Sequence, residues 1–255
     1  MDSDNLLGIA LLVILVAVIG AIAFFSIRAE RRLQQGLQGL AEAKGWQLEK
    51  RKRALGSSVS RGSGARGAEF SFTPGGGEDW SLDVRRRHSS RRGGKGSPRI
   101  TDAGRAEFRA PSPALSGGLA IFATGGAGGA LGMAQGRIAS SLAGMFDNVA
   151  GRAVLGQVLG PDMGDHVGQL QSFPAPEGSG LTVMATADPS LWFDVAAIGQ
   201  ELASWRPARG SGSPQLAIGE AGMRLYLPNE ITDPETLASF VELGQRLQQV
   251  APRAG

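Results

Sequence analysis

The residues of this chain that could do chemistry are few, with two histidines and no cysteine. GSGARG, from Gly62 to Gly67, matches G-x-G-x-x-G. A dinucleotide loop needs that pattern to open a helix and to be followed by an acidic ribose ligand. Here the strand-like AEFSF follows, so no helix N-terminus is expected there to hold a pyrophosphate. RRGGKGS resembles a phosphate loop only superficially, because Lys95 precedes Gly96 rather than Ser or Thr, and Ser89 stands where the first glycine belongs. His166 has Asp162 and Asp165 nearby in PDMGDH, a spacing that reads better as a polar connection than as a metal site. His88 lies in an arginine tract with no carboxylate beside it in sequence to orient it, and no G-x-S-x-G presents a nucleophilic serine. The sequence therefore assigns no catalytic residue, no cofactor and no metal, and it leaves an enzyme the less favoured of the readings.

Charge says more than motifs do. From Arg28 to Arg109 there are nineteen Lys/Arg against nine Asp/Glu, and from Ala110 to Gly255 seven against twelve. The first part is thus basic and the second acidic. Two clusters carry the excess: Lys50, Arg51, Lys52 and Arg53, and the stretch from Arg85 to Arg99. Near an anionic leaflet each such side chain contributes about 1 kcal/mol. Arg85, Arg86, Arg87, Arg91, Arg92 and Lys95 are accordingly the candidate contacts to anionic lipid headgroups. Nucleic acid is a poorer partner, since no aromatic residue is interleaved among the arginines to stack on bases.

These residues must be held by something, and the first element is a membrane helix. No charged side chain lies between Asp4 and Arg28, and Leu6 to Ile27 is apolar or small throughout. At 1.5 Å per residue this makes a rod about 33 Å long, against a hydrocarbon core about 30 Å thick. Its fifteen Leu, Ile, Val and Phe residues favour insertion by about 5 to 9 kcal/mol. A cleaved signal peptide would need a basic leader and a shorter apolar run, whereas the leader here is MDSDN. Arginine flanks only the C-terminal end, at Arg28, Arg31 and Arg32, which predicts a single-pass protein of the cell membrane with its N-terminus outside and its domain in the cytoplasm.

The remainder reads as α+β. Leu33, Leu37, Leu40 and Ala41 recur at helical spacing, so the membrane helix is expected to continue as an amphipathic helix that stops at Gly45. Phe70 and Phe72 alternate with polar neighbours, as do Trp80, Leu82 and Val84, and TPGGGED between them predicts a hairpin. Arg85 to Arg99 is expected as a loop, with strand signal returning near Ala106 to Arg109 and Leu119 to Ala123. The C-terminal third predicts a βαββα unit: a strand over Leu181 to Ala187, a helix capped by Asp188, a hairpin around Glu220 to Gly222, and a helix capped by Asp233. The expected organisation is a short external terminus (1–5), a transmembrane helix (6–27), a basic membrane-proximal α+β half (28–109), a glycine-rich uncharged connector (110–136) and an acidic α+β half (137–255).

Three functions fit this layout. The first is a membrane-anchored interaction or scaffold module recognising a protein partner. The second is a membrane-bound enzyme acting on an anionic, lipid-proximal substrate clamped by arginines. The third is a membrane oligomer built on the spacing of Gly128, Gly132 and Gly136.

Overall fold

Period-two alternation places the strands of this protein, and the long-range pairing of those strands places everything else. The computed structural model describes residues 20–21, 24–25, 28, 31–52, 68–85, 88–90, 100–102, 104–112, 118–124, 166–206, 213–227, 231 and 233–250. Eleven strands are described: β1 Trp46–Lys52, β2 Ala68–Pro74, β3 Ser81–Arg85, β4 His88–Ser90, β5 Ile100–Asp102, β6 Arg105–Ala110, β7 Leu119–Thr124, β8 Gln171–Phe173, β9 Leu181–Ala185, β10 Gln215–Gly219 and β11 Gly222–Leu227. The helices are α1 (31–44), α2 (Val195–Ser204) and α3 (Pro234–Val250). Nine strands form one antiparallel sheet in the order β1-β2-β3-β6-β11-β10-β7-β9-β8, and β4 pairs with β5 apart from it. The architecture is α+β, as the sequence predicts. The basic and acidic halves meet at the β6–β11 pair, where Phe108 lies opposite Leu225.

The three helices cover one face. Leu37 and Ala41 of α1, Ile198 and Leu202 of α2, and Leu237, Phe240, Val241 and Leu247 of α3 share a core with Phe70, Phe72, Leu82, Phe108, Phe122, Leu216 and Leu225 of the sheet. Burial of each such Leu or Phe stabilises by about 1.5–3 kcal/mol. α3 lies between the other two helices, tied by Lys44–Glu242 at 3.0 Å on one side and Arg246–Glu201 at 2.8 Å on the other. Both ion pairs are exposed and add little. An aromatic chain crosses the covered face: Trp46 meets Trp80 edge-on at 5.2 Å, and Trp80 stacks on Phe108 at 5.7 Å.

Local chemistry sets the ends of the elements. Gly45, at φ +69°, stops α1 as expected. Asp233 caps α3 through the Thr236 amide at 2.7 Å. The helix expected from Asp188 begins later. The Asp188 carboxylate accepts from the amide and hydroxyl of Ser190, at 2.9 and 2.7 Å, and closes only a short 3-10 turn. Phe193 then turns inward against Phe122, and Asp194 caps α2 through Ala197. Burial of Phe193 overrides the helical stripe, so Leu191 is left 63 % exposed. Part of the tract expected as a loop is also strand, since His88–Ser90 pairs with Ile100–Asp102 and places Asp102 in register with His88.

Residues 6–19, most of the expected membrane helix, lie outside the described residues. Among the described residues no helix is long and apolar enough to cross a membrane. Residues 20–21, 24–25 and 28 are helical, and Phe24 and Phe25 are exposed. Within the uncharged stretch, Leu119–Thr124 is a buried strand of the sheet, while Gly128, Gly132 and Gly136 lie outside the described residues.

Gly244 of α3 faces Phe108 so closely that an added Cβ would lie 2.5 Å from the ring. Phe108 is fully buried and stacked on Trp80, so it has no room to retreat. Alanine at this position gains about 1 kcal/mol of helix propensity but forces the helix off the sheet, an overpacking cost of about 1–3 kcal/mol or more. Gly244→Ala is expected to lower the denaturant midpoint of the domain, whereas Gly39→Ala, with open space at its Cβ, is expected to raise it slightly.

Candidate functional site

The sheet face turned away from the helices is chemically divided. Toward β7, β9 and β10 it carries the small apolar cluster of Leu119, Ile121, Leu170, Met184, Ala217 and Tyr226. Toward β3 and β6 it carries charge, because every second residue of RAEFRA in β6 is ionised: Arg105, Glu107 and Arg109. Pairing aligns these into rows across the strands. One row reads Ser71, Asp83, Glu107, Tyr226. On one side of it Arg85 lies opposite Arg105, and on the other Arg109 lies opposite Arg224.

Like charges directly opposite one another repel, so the rows are held by contacts along and between them. Glu107, 2 % exposed, accepts from Arg109 Nε at 2.7 Å and pairs with Arg105 at 3.3 Å and Arg224 at 4.0 Å. Asp83 pairs with Arg109 at 3.7 Å and accepts the Ser71 hydroxyl at 2.9 Å. β2 sets Glu69 in register with Arg85. β1 adds Glu49 in register with Ser71 and Arg51 in register with Glu69, so five arginines and four acidic residues hold positions on this face, a cationic excess of one. Removing Glu107 would leave buried guanidiniums uncompensated, a loss of about 3–5 kcal/mol when both partners are buried and less here, where Arg109 is partly solvated.

The electrostatics follow from this arrangement. Burial, and then the facing Arg85, lower the Arg105 pKa against the pull of Glu107. The hydrogen bond to Glu107 raises that of Arg109. Burial, reinforced by Glu107, pushes the Tyr226 phenol up to about 12, against the hydrogen bond from Arg224.

Of the sequence candidates for anion contact, Arg85 joins this cluster at the end of β3. Arg86, Arg87, Arg91, Arg92 and Lys95 lie outside the described residues, the last three in the segment that joins β4 to β5. His166 is half-buried in a turn, its Nδ1 buried without a hydrogen-bond partner, while Asp162 and Asp165 lie outside the described residues. Among the described residues no three His, Asp or Glu side chains gather at metal-binding distance. Sequence reading missed Arg105, Glu107, Arg109 and Arg224. The signal available was the charged alternation in β6, which a half-buried strand rarely tolerates without a partner row.

Chemically, the arrangement can attract and orient an anionic group, while its carboxylates are engaged by guanidiniums. Two grooves flank the sheet. One, of about 410 Å³, lies between α1 and β1, and the other, of about 500 Å³, lies between the segment after β8 and the start of α2. Comparison with protein-family models, with curated proteins and with solved structures finds no match, so the site is read from its own chemistry.

Tyr226 is the only tyrosine in the chain, so phenolate absorbance reports it alone. Its midpoint in the folded protein is expected near 12, falling in Glu107→Gln as the carboxylate is removed. The folded chain holds the phenolic proton more tightly than the unfolded chain. The resulting stabilisation, on the order of 2 kcal/mol, is complete below pH 10 and lost as pH rises through about 12. Tyr226→Phe is expected to abolish that alkaline decline in a stability-against-pH series.

Proposed function

We propose that this protein is a single-pass membrane protein, N-terminus outside, whose cytoplasmic α+β domain binds a protein partner close to the bilayer. The observation that carries the reading is the contrast between the helical residues Phe24 and Phe25 and α1. Phe24 and Phe25 are 59 % and 68 % exposed, whereas Leu37 and Ala41 are sealed in the core. Two adjacent exposed phenylalanines directly before Arg28, Arg31 and Arg32 suit a helix that leaves hydrocarbon at that point. With α1 packed on the sheet beside α3, the chain is helical from Arg31 into the domain. The domain therefore stands at the headgroup layer, and the arginine tract after β3 is suited to contact anionic headgroups there.

A second reading, an enzyme for an anionic lipid-proximal substrate, is favoured by the cationic excess around Arg85, Arg105, Arg109 and Arg224. The engagement of Glu107 and Asp83 by arginine counts against it, because neither carboxylate stands apart to move a proton. The interaction module remains the better account.

The absence of native cysteine allows a direct test. In intact cells treated with a membrane-impermeant thiol reagent, Ser3→Cys is expected to label and Ser211→Cys to label only after lysis. Crosslinking in native membranes is expected to recover the same stoichiometric protein partner with wild type and with either cysteine variant. Labelling of Ser211→Cys from outside overturns the topology, and recovery of lipid alone overturns the interaction reading.

A further inference from the structure

The two edges of the sheet differ. β8 is three residues long, and Pro174 and Pro176 follow it, so that edge offers little main chain for pairing. β1 is seven residues long, and among the described residues β2 is its only strand neighbour. A strand with one described neighbour presents a row of backbone donors and acceptors on its other side.

Beside that edge runs the groove of about 410 Å³ between α1 and β1. Its floor is apolar: Ala41 and Phe70 are buried, and Leu48 is half-buried. Its helical wall is polar, with Gln34, Gln38 and Glu42 spaced one turn apart and the Gln38 amide bonded to Glu42 at 3.0 Å. Because α1 turns at Gly45 directly into β1, wall and edge run antiparallel, and the channel between them follows the strand. Lys50 stands over the Phe70 ring at 5.9 Å, and Arg51 and Lys52 continue the strand.

We propose that β1 and this groove capture an extended acidic segment of the partner protein as a tenth strand, a deepening that rests on the interaction reading given above. Main-chain bonds to the edge supply affinity, and alternate side chains entering the groove supply selection. Charge complementarity fixes the occupant. Edge lysines deter unselective strand pairing. Leu48, Lys50 and Lys52 hold alternate positions of β1 on the groove side, and the two lysines leave a carboxylate-bearing strand as the favoured neighbour. Leu48, half-buried beside Ala41 and Phe70 at the groove, calls for an apolar residue on the same face of that strand as the carboxylates. A second copy of this chain is a worse fit, because its own edge brings the same cationic run.

The test uses the full chain in nanodiscs and a synthetic capped heptapeptide that carries one valine and two glutamates at successive alternate positions of one face and threonine elsewhere. Saturable binding is expected, with hydrogen exchange of the β1 amides slowed by about tenfold or more. N-methylation of alternate peptide amides on the bonding edge should weaken binding by about a hundredfold, and Leu48→Arg by about tenfold. The double variant Lys50→Glu, Lys52→Glu should lose the glutamate peptide and gain its counterpart with lysine in place of each glutamate. Exchange at Phe108 checks that each variant is folded. Binding that survives N-methylation of the bonding edge, protection confined to segments other than β1, or self-association through β1 overturns the proposal. Membrane crosslinking separates its failure from that of the broader reading. If Leu48→Arg captures the partner as wild type does, the interaction reading stands and the edge assignment falls. If the peptide binds β1 but membranes yield no partner, the reverse holds.

Discussion

A missing side chain sets the geometry of this protein. Gly244 lets α3 lie on Phe108, at the β6–β11 seam where the basic and acidic halves of the sequence join. Phe108 is in turn held by Trp80, and Trp80 by Trp46 at the sheet edge, so the position of α3 is coupled through aromatic rings to the strand that borders α1. With α3 seated, α1 and α2 fill the space on either side and one face of the nine-stranded sheet is closed. The surface ion pairs that join the helices follow from this packing and do not cause it.

The other face is built by a different rule. There the alternation of β6 brings arginine and glutamate into rows, and the register opposes like with like. The arrangement is tolerable because Glu107 is reached by guanidiniums along its own strand and from β11, and Asp83 by Arg109 on the diagonal. A network of this kind is a poor source of stability compared with apolar packing of the same volume.

Much of the fold can be read directly from residues. Gly45 as a stop, the alternation of Phe70, Phe72, Leu82 and Val84, the hairpin before Asp233 and the Asp233 cap are all local signals, and local physics decides them. The start of α2 is misread because Asp188 and Asp194 carry the same capping chemistry, and only the burial of Phe193 chooses between them. The pairing of β6 with β11 and of β7 with β10 joins residues more than ninety positions apart, which no periodicity encodes. For the same reason the charged rows were hidden: Arg105, Glu107 and Arg109 are visible as alternation, but Arg224 joins them only through the register.

Leu37 and Ala41 of α1 are fixed in the core, whereas Phe24 and Phe25 are turned outward. If the helical residues around Phe24 and Phe25 enter a bilayer, the domain is held at the headgroups with β1 near the membrane. Nitroxide labels at Phe24→Cys and Phe25→Cys, with the full chain in nanodiscs, measure this most directly. The account predicts that both collide more readily with dissolved oxygen than with a water-soluble nickel chelate, as lipid-immersed labels do. Greater accessibility to the chelate at both positions would place them in water and contradict it.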